Sequence, residues 1–270
     1  MQAALLVDLN RCAGCGSCAL ACREINGLPA DAPDDRLSAE RWTFLDRQHG
    51  LTIKRQCMHC LDPACASVCP VGALHKSEGG PVVYDEKLCM GCRYCMIACP
   101  FGVPRYEWDS NAPRVRKCIL CWEQRVSQGE SPACASVCPS GALRFGDRDE
   151  LISEARGRIR QHPKAYVDHV YGLHEAGGTS VLYLSPVPFA AIGFPSVQQD
   201  TQYPGMTWAI LEKLPAALTV GGALLAGIWW LTGRREVMEQ VRRGELPMAE
   251  ALRRRPPLVD DPAAAEEEER

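Results

Sequence analysis

Short apolar runs alternate with polar loops through the first half of the chain. Two of these runs open the stretches Leu5–Cys22 and Val82–Cys99, which align with each other. In both, the apolar run is followed by an aspartate, a loop with closely spaced cysteines and a second apolar segment. Each stretch therefore predicts a short strand, a cysteine-bearing loop and the beginning of a helix.

A second internal repeat is closer. The stretches Pro63–Leu74 (PACASVCPVGAL) and Pro132–Leu143 (PACASVCPSGAL) match at eleven of twelve positions. Two different repeats within one segment indicate an internal duplication, in which each copy is one structural unit. We therefore expect residues 1–150 to form tandem units related by pseudo-symmetry.

The pattern changes after residue 150. Glu150–Arg160 places apolar side chains on one side and charges on the other, which predicts an amphipathic helix. Ser180–Leu184 predicts a strand inside a segment that glycine and proline interrupt. We expect residues 151–210 to form this helix and a strap that lies on the preceding body.

A membrane segment is predicted near the C-terminus. Leu214–Gly233 contains twenty residues without a charge, and a helix of that length spans roughly 30 Å, about the thickness of a bilayer core. Trp229 and Trp230 lie near one end, which suits a membrane interface. We expect a transmembrane helix over residues 211–235, followed by a tail over residues 236–270 that is partly disordered.

Basic residues are unequally distributed around this apolar segment. Lys213 is the basic residue close before it, whereas a larger group follows it, namely Arg234, Arg235, Arg242, Arg243 and the arginines at 253–255. The positive-inside rule therefore predicts a single-pass protein of the inner membrane, with the C-terminus in the cytoplasm and the body in the periplasm. The first residues contain no basic n-region, long apolar run or twin arginine, so we expect export together with a partner that carries a Tat signal.

Composition limits the classes of function. A formal net charge of −3 over 270 residues gives no indication of nucleic-acid binding. We recognise no paired carboxylates, catalytic triad or open metal site, and therefore expect no catalytic residues in this chain. The sixteen cysteines carry the candidate chemistry.

All sixteen cysteines fall into four groups of four. Two groups have the spacing C-x2-C-x2-C-x3-C, and the other two widen one gap to four or twelve residues. Three of the groups end in Cys-Pro. The groups are Cys12, Cys15, Cys18, Cys22; Cys57, Cys60, Cys65, Cys69; Cys89, Cys92, Cys95, Cys99; and Cys118, Cys121, Cys134, Cys138.

This spacing is the ligand pattern of bacterial [4Fe–4S] ferredoxins. A disulfide framework and structural zinc are the alternatives, because both use closely spaced cysteines. Disulfide scaffolds seldom repeat this spacing four times, and zinc sites do not require the C-x3-C-P ending. We therefore expect four [4Fe–4S] clusters with the sixteen cysteines as iron ligands.

The fourth cysteine of each ferredoxin run binds the partner cluster of a two-cluster unit. We expect the second and third groups to pair because they are adjacent, which leaves the first to pair with the fourth. A pairing of the first with the second and the third with the fourth is the alternative. The expected ligand sets are Cys12, Cys15, Cys18 and Cys138; Cys118, Cys121, Cys134 and Cys22; Cys57, Cys60, Cys65 and Cys99; and Cys89, Cys92, Cys95 and Cys69.

The chain resembles the four-cluster, ferredoxin-type iron–sulfur subunits of membrane-bound respiratory oxidoreductases. It is similar in particular to the beta subunit of formate dehydrogenase-N and to the iron–sulfur subunit of hydrogenase-2-type enzymes. The stretches responsible are CMHCLDPACASVCPVGAL (57–74), CMGCRYCMIACPFGVPRY (89–106), KCILCWEQR (117–125), GDRDELISEARGRI (146–159) and GGTSVLYLSPVPF (177–189).

The resemblance implies an α+β fold of duplicated bacterial-ferredoxin modules with a C-terminal strap and one transmembrane helix. It also implies a relay of electrons between a catalytic subunit and a quinone-reactive or cytochrome b subunit in the membrane. The catalytic partner would be a [NiFe] hydrogenase or a molybdenum- or tungsten-pterin subunit. The alternative is the iron–sulfur subunit of a molybdopterin reductase for a sulfur compound or oxyanion, with electrons coming from quinol.

Overall fold

The computed structural model describes residues 2–33 and 35–252. Residues 253–270 of the predicted tail, including the arginines at 253–255, lie outside these ranges. The strands are β1 (Ala3–Asp8), β2 (Phe44–Gln48), β3 (Leu51–Arg55), β4 (Leu74–Lys76), β5 (Val82–Tyr84), β6 (Arg105–Tyr106), β7 (Val115–Arg116), β8 (Leu143–Asp147) and β9 (Val181–Leu184). The helices are α1 (Ser17–Ile25), α2 (Ala64–Ser67), α3 (Tyr94–Ala98), α4 (Ala133–Ser136), α5 (Arg148–Gln161), α6 (Tyr203–Leu211), α7 (Leu214–Arg242) and α8 (Met248–Ala251).

The main sheet has three strands in the order β8-β1-β9. β1 pairs antiparallel with β8, with Leu5 opposite Phe145, and parallel with β9, with Leu5 opposite Val181. Every residue of β1 is buried, which explains its continuous apolar sequence because a central strand covered on both faces has no solvent side. The predicted strap therefore contributes a strand to the body through β9.

Helix α5 covers one face of this sheet. The Asp147 side chain accepts a hydrogen bond from the Asp149 N–H and caps the helix at its N-terminus. Leu151, Ala155 and Ile159 are buried against the strands, as the amphipathic pattern predicts. The opposite face of the sheet meets a second core that contains aromatic rings of the strap, including Tyr171 and Phe189.

The four short cysteine-bearing helices pack in two pairs. Helix α1 packs on α4, and helix α2 packs on α3. The two closely matching repeats have the same local structure, since α2 and α4 are both four-residue helices that follow a proline. The aligned stretches also agree with the prediction, because β1 precedes α1 and β5 precedes α3.

A second compact unit begins at Trp208, after a first unit that ends at Thr207. It contains α7, which is the one helix in the described part of the chain that is long and apolar enough to cross a membrane. Most apolar side chains of its membrane-length stretch are exposed, including Leu218 and Leu225, whereas Val237 near its C-terminal end is buried. The hydroxyl of Thr232 donates to carbonyls of its own helix, so this polar group needs no outside partner.

A buried ion pair fixes α5 to the sheet. Arg158 Nη1 lies 2.6 Å from Asp8 Oδ2, and the Tyr166 hydroxyl donates to the same oxygen at 2.9 Å. Asp8 is fully buried at the end of β1. Removal of Arg158 would leave this buried carboxylate with only the half-exposed Arg11, whose Nε lies 3.7 Å from the same oxygen, as a countercharge.

We predict that Arg158→Met lowers the free energy of unfolding by about 3–5 kcal/mol, the range for breaking a buried pair by removal of one partner. Arg156→Met, at an exposed position of the same helix, is the matched control and should change it by less than about 0.5 kcal/mol. Urea denaturation of the two variants and the parent tests this, and equal losses in both variants would contradict it.

Candidate iron–sulfur sites

The cysteines lie on ligand loops and at the short helices that follow them. Cys18 and Cys22 are both on α1, and Cys134 lies on α4 with Cys138 just beyond its end. The same arrangement places Cys65 and Cys69 at α2 and Cys95 and Cys99 at α3. All sixteen cysteines are free thiols. The structure therefore does not support the disulfide alternative.

The first set of neighbouring thiols surrounds a cavity. Cys12, Cys15, Cys18 and Cys138 all line it. Burial raises the pKa of Cys12, and the nearby thiols of Cys138 and Cys15 raise it further. These are the four cysteines of the first expected ligand set.

The second set lies where α1 and α4 meet. Burial and the thiols of Cys134 and Cys121 raise the pKa of Cys22 to about 12, against the opposite effect of Lys54. Burial and the thiol of Cys22 likewise raise the pKa of Cys118 well above its usual value. The four cysteines of the second expected set are therefore neighbours.

The third set lies at the N-terminal end of α2 and the C-terminal end of α3. Burial raises the pKa of Cys60 well above its usual value, and the nearby thiols of Cys57, Cys99 and Cys65 raise it further. Cys57, Cys99 and Cys118 also share one small apolar cluster with Val103.

The fourth set is partly exposed. Burial and the thiols of Cys92, Cys69 and Cys89 raise the pKa of Cys95 to about 12. Cys92 itself is exposed. Burial alone would raise the pKa of Cys89, but the hydroxyl of Tyr84 and neighbouring backbone N–H groups lower it overall.

Contacts between the sets connect them in a row. The thiols of Cys18 and Cys134 join the first set to the second. Cys118 is near Cys57, which joins the second set to the third. Cys65 is near Cys95, which joins the third to the fourth. Each set is therefore close enough to the next one in this order for their thiols to interact electrostatically.

Within residues 2–33 and 35–252, no three His, Cys, Asp or Glu side chains converge closely enough to hold a single ion. Ligands of a tetrahedral zinc ion with Zn–S bonds of about 2.3 Å stand only about 3.8 Å apart. A cubane distributes its four thiolates over separate iron atoms and so requires wider spacing.

Close backbone packing supports the ligand loops at glycine positions. A Cβ atom on Gly91 would lie 2.9 Å from the backbone oxygen of Pro113, and its φ of +73° is unfavourable for other residues. A Cβ atom on Gly14, the equivalent position of the first loop, would lie 2.7 Å from Thr52 Oγ1. Glycine therefore lets both loops approach their neighbouring strands.

The residues between Cys57 and Cys60 are buried, whereas those between Cys92 and Cys95 are exposed. His59 is fully buried and Met58 nearly so, whereas Tyr94 is exposed. Arg93 stacks over the rings of Tyr106 and Trp108 at the surface. Of these four residues, Met58 and His59 are thus the two that lie inside the body.

Buried hydrogen-bond donors lie beside the ligands without acceptors. The N–H of Val82 donates to His59 Nδ1 at 3.1 Å, and burial followed by three nearby lysines lowers the pKa of His59 well below its usual value. The neutral ring therefore carries its proton on Nε2, which has no partner among the described residues. The Gln56 Nε2 group, next to Cys57 in sequence, is likewise unpartnered there.

Buried positive charge is the feature that the cysteine motifs do not predict. Lys54 and Lys117 are each 2% exposed, and Lys76 is partly buried. These unpartnered donors and buried cations surround the thiol sets and would suit a bound group that is negatively charged and offers sulfur atoms as acceptors. An iron–sulfur cluster bound by four thiolates is such a group. The signal in the sequence was weak: Lys117 directly precedes Cys118, and Lys54 interrupts the apolar positions of β3.

Comparison with known proteins also indicates iron–sulfur clusters. A family model described as a 4Fe-4S dicluster domain matches residues 49–148. Hydrogenase-2 operon protein HybA of Escherichia coli O157:H7 is 35% identical over 277 residues, covering 82% of this chain and 83% of that protein. The nitrate-inducible formate dehydrogenase iron-sulfur subunit of Escherichia coli K12 is 38% identical over 203 residues, covering 68% of each chain. The chain belongs to this family of iron–sulfur subunits.

A third relative extends the match along the chain. The formate dehydrogenase iron-sulfur subunit of Haemophilus influenzae is 34% identical over 267 residues, covering 89% of this chain and 84% of that subunit. As a family member, the chain is an electron-transfer subunit with ferredoxin-type iron–sulfur clusters. The predicted family, electron-transfer role and class of cofactor are confirmed. The apolar helix α7 fits a membrane anchor.

Proposed function

We propose that this subunit relays electrons through four [4Fe–4S] clusters. It would connect a catalytic subunit of the hydrogenase or formate dehydrogenase type with a quinone-reactive or cytochrome b subunit in the membrane. The observation that carries the proposal is the row of four thiol sets, each next to the following one. When bound, each cluster would accept and release one electron at a time.

The ligand sets that we propose use all sixteen cysteines. The packing of α1 on α4 and of α2 on α3 supports pairing of the first group with the fourth and of the second with the third. In each helix pair, the third and fourth cysteines of a run belong to different sets, as the ferredoxin rule requires. The buried cysteines among them exclude water, and backbone N–H groups such as those of Leu120 and Val103 donate to sulfur.

We further propose that the cysteine region consists of two ferredoxin modules. One module would use α2 and α3, and the other α1 and α4. Residues 151–210 would then hold the modules together, because β9 pairs with β1 of one module, and the N–H groups of Ser180 and Val181 donate to the carbonyls of His59 and Met58 in a ligand loop of the other. The transmembrane helix and the tail would complete the domain organisation after residue 211.

Exposed apolar side chains support contact with a partner subunit near the fourth thiol set. Ile97 is 84% exposed and Met90 66% exposed, and both lie in or beside the ligand run of that set. Leu88 and Trp108 are also exposed nearby in sequence. Such a concentration of large apolar side chains is typical of an interaction surface.

We propose that α7 spans the inner membrane with its C-terminal end in the cytoplasm. Arg234, Arg235, Arg242 and Arg243 follow the apolar part of the helix and support this orientation through the positive-inside rule. In intact spheroplasts, a C-terminal epitope tag should resist external protease, and a tag at the N-terminus should be cleaved. Cleavage of the C-terminal tag alone would reverse the orientation.

Metal analysis of the detergent-purified complex tests the function. We expect iron equivalent to four cubanes from this subunit, together with nickel if the catalytic partner is a hydrogenase. Molybdenum or tungsten would instead indicate a pterin-dependent partner, with formate as the leading substrate, and would retain the reductase alternative. A purified complex whose subunit lacks dithionite-reducible iron–sulfur clusters would contradict the proposal.

Cysteine substitutions test the ligand sets. Cys138→Ser and Cys12→Ser should alter the same electron paramagnetic resonance signal, because both residues belong to the first set. Cys69→Ser and Cys89→Ser should alter a different, shared signal. If Cys138→Ser alters the signal that depends on Cys89, the alternative pairing of the first group with the second is correct.

A further inference from the structure

Buried lysines without acidic partners distinguish the interior of this protein. Lysine is rarely fully buried unless its charge is paired. Among the ion pairs of the described residues, none involves Lys54, Lys76 or Lys117. Lys117 Nζ donates to the carbonyl of Val82 at 2.5 Å and to that of Cys118 at 3.0 Å. Lys54 donates to the side-chain oxygen of Gln56.

Each of these lysines lies beside thiol sets. Lys54 lines the cavity of the first set. Burial alone would lower the pKa of Lys54, but the nearby thiols of Cys134 and Cys18 raise it above its usual value, so its ammonium group is close to thiols of both the first and the second sets. Lys117 and Lys76 are adjacent to the third set, near Cys65 and Cys60 respectively.

Lys76 is held in that position by backbone oxygens. Its ammonium donates to the carbonyl of Cys60 at 2.8 Å and is 3.4 Å from the carbonyl of His59. It also lies 3.4 Å from the hydroxyl of Ser180 on the strap. These neutral acceptors fix its location without neutralising its charge.

The fourth set has a different environment. Arg93, in the ligand loop of this set, is exposed and stacks on the rings of Tyr106 and Trp108. Arg114 and Arg116 are partly exposed and pair with carboxylates. Arg116 pairs with both Glu86 and Glu107, and Arg114 pairs with Glu86 at 3.3 Å. Positive charge near this set is therefore either exposed to solvent or paired with carboxylates, unlike that of the buried lysines.

We propose that Lys54, Lys76 and Lys117 act as fixed positive charges that raise the reduction potentials at the first three sets relative to the fourth. The inference rests on the proposed four-cluster function. Added electrons make a thiolate-bound cluster more negative, so an uncompensated cation in a low-dielectric interior stabilises the reduced state. The lysines touch no substrate and act through the clusters, so they are positioning residues. An electron is thereby held more favourably at a cluster in one of the first three sets, which lie beside the buried lysines, than at a cluster in the fourth set.

Redox titration of lysine variants in the purified complex tests this proposal. Lys117→Met should lower the equilibrium constant for one-electron reduction at the third set at least tenfold, which is about 59 mV for a one-electron couple. Lys54→Met should produce the same shift at the first and second sets. Neither variant should shift the fourth set by a comparable amount. Electron paramagnetic resonance follows each signal, which Cys→Ser variants assign.

Two control variants separate charge from structure. Lys117→Arg keeps the charge and should retain the parent potential. Lys87→Met removes an exposed lysine close in sequence to Cys89. Because solvent screens this charge, the equilibrium constant for reduction of every cluster should change less than tenfold. Iron content is measured on each variant before titration. If a buried variant loses iron, Lys76→Met, at a partly exposed position beside the third set, provides the same test.

The outcomes separate the two proposals. Unchanged potentials in iron-replete Lys117→Met and Lys76→Met would overturn the role of the lysines while leaving the four-cluster relay intact. Equal shifts at all four sets would also overturn it, because they would indicate a general structural change. A parent complex with fewer than four reducible clusters would instead contradict the function on which the inference rests.

Discussion

Sulfur ligands that become negatively charged when they bind iron lie inside a small body, and the fold has to supply cations and donors around them. Burial raises the pKa of Cys22, Cys65 and Cys95 to about 12, which shows how unfavourable an uncompensated thiolate would be at these positions. A buried ammonium group is likewise unfavourable unless a negative charge lies close to it. In the arrangement that we propose, thiolate-bound clusters and lysines would each supply the countercharge that the other lacks.

Cysteine spacing predicted much of the site because it is a local property of the chain. A C-x3-C segment on one turn of helix presents two sulfurs to different neighbours, so the helices α1 and α3 followed from sequence. Helix α5 was equally predictable from its apolar positions at Leu151, Ala155 and Ile159. Strand β9 followed from its apolar sequence.

Long-range relationships were less predictable. The sequence of β1 indicates a buried strand but not that its neighbours are β8 and β9, because a continuous apolar run contains no information about which strand pairs with it. Buried lysines were missed for a related reason. Lys54 has the sequence context of an ordinary polar strand residue, and only the packing around β3 encloses it. His59 lies between two cysteines of a ligand loop, but its hydrogen bond from Val82 depends on a separate strand.

The central position of β1 has a consequence for the order of assembly during synthesis. Both strands that flank β1 come much later in the chain, and its aspartate pairs with Arg158 on α5. Helices α2 and α3, in contrast, are close in sequence and can meet early. Contacts between distant segments form later than local ones because a longer loop must close. The N-terminal segment therefore leaves the ribosome first but enters the native structure among the last, after the strap has been made.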